Sequence, residues 1–276
     1  MSYQNKDLVS SKAEYWQKGY TVLSGLFNAE QIERMRQECS RLWRLPGLGD
    51  DLNLRTEFRR GPENGYVFDR LDPVIDISPI LTEAAMFSSL IEAVDTVLGG
   101  HSELLKCKLI RKDPGTKGYA VHQDFLYWKW LDIHPDKLCS VAINLFESGE
   151  DSGGITFYPA QHQTLIPGPL GNEVGDCDIA RIDTSIKELP LLAAGDVVIF
   201  HSLTPHFSGP NLSGQSRTIL LPSYCLTNDS GLYEKYYTRE ITRRCEEMIG
   251  FERYLTQLSG FQRALLSRKP VLTPSE

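Results

Sequence analysis

The stretch Gly195-Asp196-Val197-Val198-Ile199-Phe200-His201-Ser202-Leu203-Thr204-Pro205-His206 packs a turn, an apolar strand and a second turn into twelve residues. Gly-Asp is turn chemistry, the Val-Val-Ile-Phe run fits a pleated and buried surface, and Pro205 bars extension of a central strand. His206 is thereby delivered just past a strand's end. Gly209-Pro210-Asn211 makes another turn, and Arg217-Thr218 opens the next apolar run. The same grammar recurs outward. Leu104–Arg111, Leu138–Phe146, Gly154–Tyr158, Asp196–His201 and Arg217–Leu226 are short runs rich in Val, Ile, Leu, Phe and Thr, bounded by Gly, Pro or Asp. Turn-separated strands of this kind predict a sandwich or barrel.

Helical periodicity flanks this β region. Asn28 followed by Glu30 and Gln31 can cap a helix running to about Trp43. A second helix reads from Ser78-Pro79 to Leu98, with Gly99-Gly100 as its stop. Arg44–Asp76, rich in Gly, Pro and charge, reads as a long irregular excursion. Tyr233–Ile249 and Phe251–Leu266 return to the helical period. No repeat and no compositional break divides the chain. One domain over 1–276 is expected: a helical N-terminal part (1–100), a β core (about 101–227) and C-terminal helices (228–270).

With 41% apolar and 24% charged residues, the 276-residue chain can bury a sizeable core. Its net charge of −7 excludes nucleic acid as the default partner. No apolar run approaches the ~18–20 residues of a membrane span. Met1-Ser-Tyr-Gln-Asn lacks the basic start and apolar core of a leader. A soluble, unexported, cytoplasmic protein with no membrane partner is expected, and the sequence carries no signal for oligomeric state. The six cysteines form no CxxC pair, which excludes a zinc ribbon and fits reduced, mostly buried thiols.

Two of the six histidines stand out. In Val121-His122-Gln123-Asp124 the period-2 geometry of a strand points His122 and Asp124 to one face and Gln123 to the other. An imidazole beside a carboxylate offers two ligands to a borderline divalent metal. The same pair equally describes a His–Asp hydrogen bond on a sheet surface. His206 would complete a two-His-one-carboxylate facial set, the arrangement typical of non-haem Fe(II) oxygenases, which leaves three adjacent positions open. His162 and His201 compete with it on composition, whereas His101 and His134 read as surface residues. Arg217 could hold a remote carboxylate through a bidentate pair.

His122-x-Asp124, Gly195-Asp196, His206, Ser208, Asn211 and Arg217 together resemble the phytanoyl-CoA dioxygenase family of Fe(II)/2-oxoglutarate oxygenases. That family carries HxD, a distal His and an Arg eleven positions beyond it; here His206 follows His122 by 84 residues and Arg217 follows His206 by 11. Gly153–His162 resembles the family's Gly-x-(x)-PGSH segment, with Pro159-Ala160-Gln161-His162 in its place, and the helical Tyr15–Phe27 resembles the family's opening. The resemblance implies a mainly β fold with flanking helices around a double-stranded β-helix, a cupin-like jelly roll. It implies that His122, Asp124 and His206 are the catalytic Fe(II) ligands, the register to Arg217 selecting His206. It also implies 2-oxoglutarate held by Arg217 and Ser208 with Trp128 lining its pocket, and Lys106, Lys108, Gln123 and Thr156 as further candidates. O2 would then oxidise a substrate C–H bond while 2-oxoglutarate becomes succinate and CO2. Asp124, where halogenating relatives carry a small residue, favours hydroxylation or desaturation by the same oxidant.

For the substrate the sequence offers two hints. In Phe125-Leu126-Tyr127-Trp128-Lys129-Trp130 the alternate residues share faces, either as packing at the barrel mouth or as an aromatic wall, with Tyr127 and Trp130 as binding candidates. Arg55, Arg59, Arg60 and Arg70 lie in the excursion, either as surface charge or as a cationic lid led by Arg59 and Arg60. Both hints point to a small polar or charged metabolite. The competing function is a non-enzymatic jelly-roll module that binds a metal or metabolite; a zinc hydrolase would leave Arg217 and Ser208 idle.

Overall fold

A computed structural model describes residues 7–49, 53–61, 65–168, 177–227 and 231–256. Among the described residues five α-helices and ten strands occur in the order α1 (Leu8–Lys18), β1 (Tyr20–Leu23), α2 (Ala29–Leu42), β2 (Thr56–Arg60), β3 (Tyr66–Leu71), α3 (Pro79–Ala85), α4 (Ser88–Leu98), β4 (Ser102–Lys112), β5 (Tyr119–His122), β6 (Leu138–Asn144), β7 (Ile155–Phe157), β8 (Val197–His201), β9 (His206–Ser208), β10 (Arg217–Leu226) and α5 (Leu232–Thr256). All strand pairs are antiparallel. Seven strands form one sheet in the order β1-β8-β6-β10-β4-β3-β2, and β5-β9-β7 form a small second sheet facing it. This is the expected jelly-roll core with flanking helices.

The large sheet is buried on both faces, which is why its central strands read as unbroken apolar runs. Val197 and Ile199 of β8 join the helices and Tyr224 in the larger core cluster. Their neighbours Val198 and Phe200 turn the other way, into a cluster between the sheets with Ile110, Phe157, Ile219 and Leu221. That inter-sheet layer is the floor on which the site is built. Among the described residues no helix is long and apolar enough to cross a membrane, and all six cysteines are free.

Three expectations are corrected. The 44–76 excursion contains the hairpin β2–β3, which pairs Arg70 with Ile110 and Leu71 with Leu109 and so widens the main sheet. Its charges read as loop composition, yet they satisfy one another: Arg59 pairs with Asp69, and Arg70 with Glu57 and Asp69. Tyr15–Phe27 is not one helix. Gly19, at φ 90°, caps α1 by donating to the Tyr15 carbonyl, and β1 follows at once to pair with β8. A side chain there would meet Thr204 Oγ1 at 2.5 Å, so glycine serves both the left-handed turn and the close contact. The N-terminal part therefore lends three strands to the core. The single helix expected over Ser78–Leu98 is two, breaking at Met86-Phe87. At the other end α5 runs unbroken to Thr256, and the rest of the expected Phe251–Leu266 helix lies outside the described residues.

One buried ionic cluster fastens these additions together. Asp72, which follows β3, receives a hydrogen bond from Tyr237 Oη at 2.7 Å and lies 3.2 Å from Arg244 Nη2 and 3.7 Å from Lys106 Nζ. It thus joins the hairpin to α5 and β4. Burial favours the neutral acid, but Lys106, Arg244 and the Tyr237 bond hold the carboxyl well below the usual range. Asp72→Asn would strip the buried Lys106 of its carboxylate and leave Arg244 with Glu57 alone, and is expected to cost about 3–5 kcal/mol in urea unfolding. The depressed carboxyl contributes stability above its unfolded pKa of about 4 and loses it as pH falls below that value. Wild type and variant should accordingly converge in stability on acidification, and parallel curves would contradict the assignment.

Candidate active site

β5 and β9 are short, and their register sets the site. His122 pairs directly with His206, bringing the two rings to 4.3 Å. Beyond His122 the chain leaves the strand and enters a 3-10 turn, Asp124–Tyr127, whose first residue points back at the two imidazoles. His122 Nδ1 lies 2.8 Å from the Ala120 carbonyl and His206 Nδ1 2.9 Å from the Thr204 carbonyl. A carbonyl only accepts, so each Nδ1 carries the proton and each Nε2 presents a bare lone pair. His122 Nε2 is 3.7 Å from Asp124 Oδ1, beyond a hydrogen bond, which sets aside the surface His–Asp pair. Ser140 Oγ donates to Asp124 Oδ2 and leaves Oδ1 turned toward the imidazoles.

One donor atom from each of the three residues lies within 4.8 Å of the others. Burial, then His122, pushes His206 down to about 4, keeping it a neutral donor. Burial would raise Asp124, but His206, Lys108 and His122 together hold it down to about 2. Two imidazoles and a carboxylate, with the outer nitrogens and the second oxygen already bonded, fit a divalent ion such as Fe(II).

From these three residues a cavity runs between the sheets. Register lays out its floor: Leu221 faces Lys108, Ile219 faces Ile110, and Arg217 faces Lys112. Phe200, Ile155 and Phe207 complete an apolar lining. At the far end the Arg217 guanidinium donates to the Gly153 carbonyl at 3.0 Å and to Asn144 Oδ1 at 3.2 Å, and burial draws it down to about 10. Ser208 Oγ stands beside it and accepts from Lys112 Nζ at 2.9 Å and from the Tyr119 amide at 3.2 Å.

The sequence reading missed Lys112 and Tyr119. Lys112 Nζ also donates to the Gly153 and Gly209 carbonyls, and burial, then Arg217, pushes it down to about 7. Gly153 makes this approach possible: at φ 65° a Cβ would stand 2.6 Å from the Gly209 carbonyl and 2.9 Å from Lys112 Nζ. A signal was present. Lysines at 106, 108 and 112 recur at even spacing along a strand buried on both faces, where lysine is otherwise rare.

Several expected site residues lie elsewhere. Gln123 faces away from the triad, as strand alternation requires. Its amide clamps loops by donating to the Thr164 and Leu203 carbonyls and accepting from the Ile166 amide. Trp128 is buried with Leu131, Leu138 and Tyr236 rather than in the cavity. Trp130 lies under Arg239 at 4.1 Å and beside Tyr236. The alternation assumed for 125–130 fails because the segment forms 3-10 turns. Thr156 is buried but does not line the cavity, which its neighbour Ile155 does. Lys106 is committed to Asp72 and Tyr236.

The cationic lid also gives way. Arg55 forms a fork with Asp76, Arg70 pairs with Glu57, and Arg59 pairs with Asp69 while lying 4.3 Å over the outer face of the Tyr119 ring. The Arg60 side chain lies outside the described residues. Tyr127 remains near the site, half exposed, with its ring edge-on to His122 at 6.2 Å. The rival histidines form a separate pair. His201 Nε2 meets Asp136 at 3.2 Å, its Nδ1 accepts from the Leu203 amide, and the His162 ring lies 5.1 Å away. His101 and His134 are exposed, as expected.

Metal uptake should therefore separate the histidines. His206→Ala is expected to lose stoichiometric Fe(II) or Co(II), measured by metal analysis of the desalted protein, while His162→Ala retains it. The reverse pattern would move the centre to the other pair.

A family model described as phytanoyl-CoA dioxygenase (PhyH) matches residues 15–219. A methylphosphonate hydroxylase of Gimesia maris is 26% identical over 235 residues, 84% of this chain and 86% of the relative. An ectoine dioxygenase of Bordetella bronchiseptica is 25% identical over 234 residues, 76% and 72% of the two chains. Among solved structures, the epimerase SnoN in complex with Fe3+, alpha-ketoglutarate and nogalamycin RO superposes with a TM-score of 0.66 at 20% identity, covering 79% of this chain and 83% of that one. The HxD pair, the distal histidine and the arginine lie on the strands and turn described above, inside one jelly roll. By this family match over most of its length, the chain belongs to the phytanoyl-CoA dioxygenase family.

Proposed function

We propose that this protein is an Fe(II)- and 2-oxoglutarate-dependent oxygenase that hydroxylates an unactivated C–H bond of a small-molecule metabolite, releasing succinate and CO2. The observation that carries this reading is a single cavity with a His-Asp-His donor set at one end and a buried guanidinium at the other. His122 Nε2, His206 Nε2 and Asp124 Oδ1 are the atoms that would hold iron. When bound, Fe(II) supplies the activation of O2 that no side chain provides.

The remaining work falls to this chain's own residues. Arg217 and Ser208 receive the far carboxylate of 2-oxoglutarate. Two acceptors already fix the orientation of the guanidinium, so little freedom is lost on binding. Lys112 orients Ser208 and adds positive potential to that end. Ile110, Phe200, Ile219 and Leu221 keep water from the reacting C–H bond. Asp124 occupies a ligand position that a halide would need, which favours hydroxylation. The relatives' names cover an anionic phosphonate and a zwitterionic ectoine, so kinship does not fix the substrate. We further propose a single domain over the chain and a cytoplasmic location, where reduced thiols and Fe(II) are both maintained.

Incubation with Fe(II), 2-oxoglutarate and O2 is expected to release succinate, stimulated by the true substrate with a +16 product. Arg217→Ala removes a charge-assisted contact and should raise the KM for 2-oxoglutarate on the order of 10- to 100-fold. Iron uptake without succinate across a broad metabolite panel would favour a binding module instead.

A further inference from the structure

The lysines of β4 at 106, 108 and 112 differ in what they meet. Lys106 is held by Asp72 and Tyr236. Lys112 donates to three oxygens, the Gly153 and Gly209 carbonyls and Ser208 Oγ. Lys108 lines the cavity beside Asp124 and His206. Among the described residues its ammonium has no hydrogen-bond partner and no carboxylate within ion-pair distance. A half-buried cation facing an apolar lining is costly to maintain unless a ligand completes it.

Charge balance identifies what kind of ligand that is. On the function proposed above, Fe(II) is neutralised by Asp124 and one carboxylate of 2-oxoglutarate, and Arg217 answers the other carboxylate. Two cations remain: Lys112, already donating to the Gly153 and Gly209 carbonyls and to Ser208 Oγ, and Lys108, which among the described residues has no such partners. Lys108 lies four residues along β4 from Lys112, roughly 13 Å of strand, and so cannot share the far carboxylate with Arg217. It stands instead at the triad end of the cavity, opposite Leu221, where a C–H bond must be placed for oxidation.

We propose that Lys108 is the anchor for an anionic group of the substrate, a carboxylate or phosphonate on a compact molecule. The ammonium fixes the charged end, and the Ile110, Ile219 and Leu221 surface receives the carbon chain. This assignment rests on the oxygenase reading, and its test is arranged so that the two can fail separately.

The protein is held anaerobically with Fe(II) and saturating 2-oxoglutarate. The visible charge-transfer band of that complex reports co-substrate binding, and the melting temperature reports added probes. Propionate and methylphosphonate should bind saturably and raise the melting temperature, while propionamide, the neutral counterpart of propionate, should not. Lys108→Met should weaken both anions at least tenfold and leave 2-oxoglutarate affinity within twofold, so the band itself shows that the variant's site is folded. Lys108→Arg should retain most of the anion response.

The proposal is overturned if Lys108→Met weakens 2-oxoglutarate tenfold, which would give the lysine to the co-substrate. It is also overturned if propionamide matches propionate, or if the anions bind the variant as well as the wild type. Absence of the band in the wild type would overturn the oxygenase reading instead, and the melting response to anions would still decide the role of Lys108.

Discussion

Two backbone carbonyls, those of Ala120 and Thr204, fix the chemistry of this site more than any side chain. Each takes the Nδ1 proton of the histidine two residues on, so both imidazoles turn a bare Nε2 toward the same point. That orientation is a product of register. His122 and His206 are direct partners in a ladder only a few residues long, and a slip of one residue would send either ring to the opposite face. The small sheet therefore has to be held firmly by what surrounds it. Gly118 lies so close to Ser208 that a Cβ would fall 1.6 Å from its carbonyl oxygen, and Phe157 of β7 pairs with His206 from the other side.

The large sheet contributes a different quantity, a graded potential. Its β4 and β10 strands carry apolar residues at the middle of the cavity floor and cations toward both ends. Arg217 and Lys112 stand as directly opposed partners, two positive groups in a buried place, and each is drawn below its ordinary pKa. Such a pair raises the energy of the empty pocket and lowers that of a pocket holding carboxylate oxygens. Affinity for an anion is thus built into strand pairing before any ligand arrives.

What the sequence made legible follows from this division of labour. The Val197–Phe200 run is apolar on both faces because both faces are buried, and so it reads as an apolar strand. His122, Asp124, His206 and Arg217 stand out because their types suit a metal and a carboxylate and their spacing resembles the family's. The hairpin β2–β3 was illegible for the opposite reason: Arg59, Asp69, Arg70 and Glu57 neutralise one another across the strands, and only tertiary pairing distinguishes that from a solvated loop. Gln123, Trp128, Thr156 and Trp130 follow from extending strand alternation or family resemblance, and none lines the cavity: three lie where the chain turns or clamps loops, and at the fourth Ile155 faces the cavity instead of Thr156. Lys112 went unseen because a lysine at a strand's end ordinarily reaches solvent. Gly153 is what lets this one stay inside.

The hairpin also changes what sets the cavity's shape. Tyr119 lines the cavity, but its hydroxyl donates to Asp69 of β3 at 2.6 Å and its ring lies under the Arg59 guanidinium. Asp69 thus holds both the wall residue and the cation stacked behind it. The inner surface is positioned from the outer edge of the sheet, through an ion pair the solvent only partly reaches. The His122–His206 register thus answers to the small sheet, and the wall answers to an appended hairpin. Residues of that hairpin can vary the pocket while the His122–His206 register stays fixed.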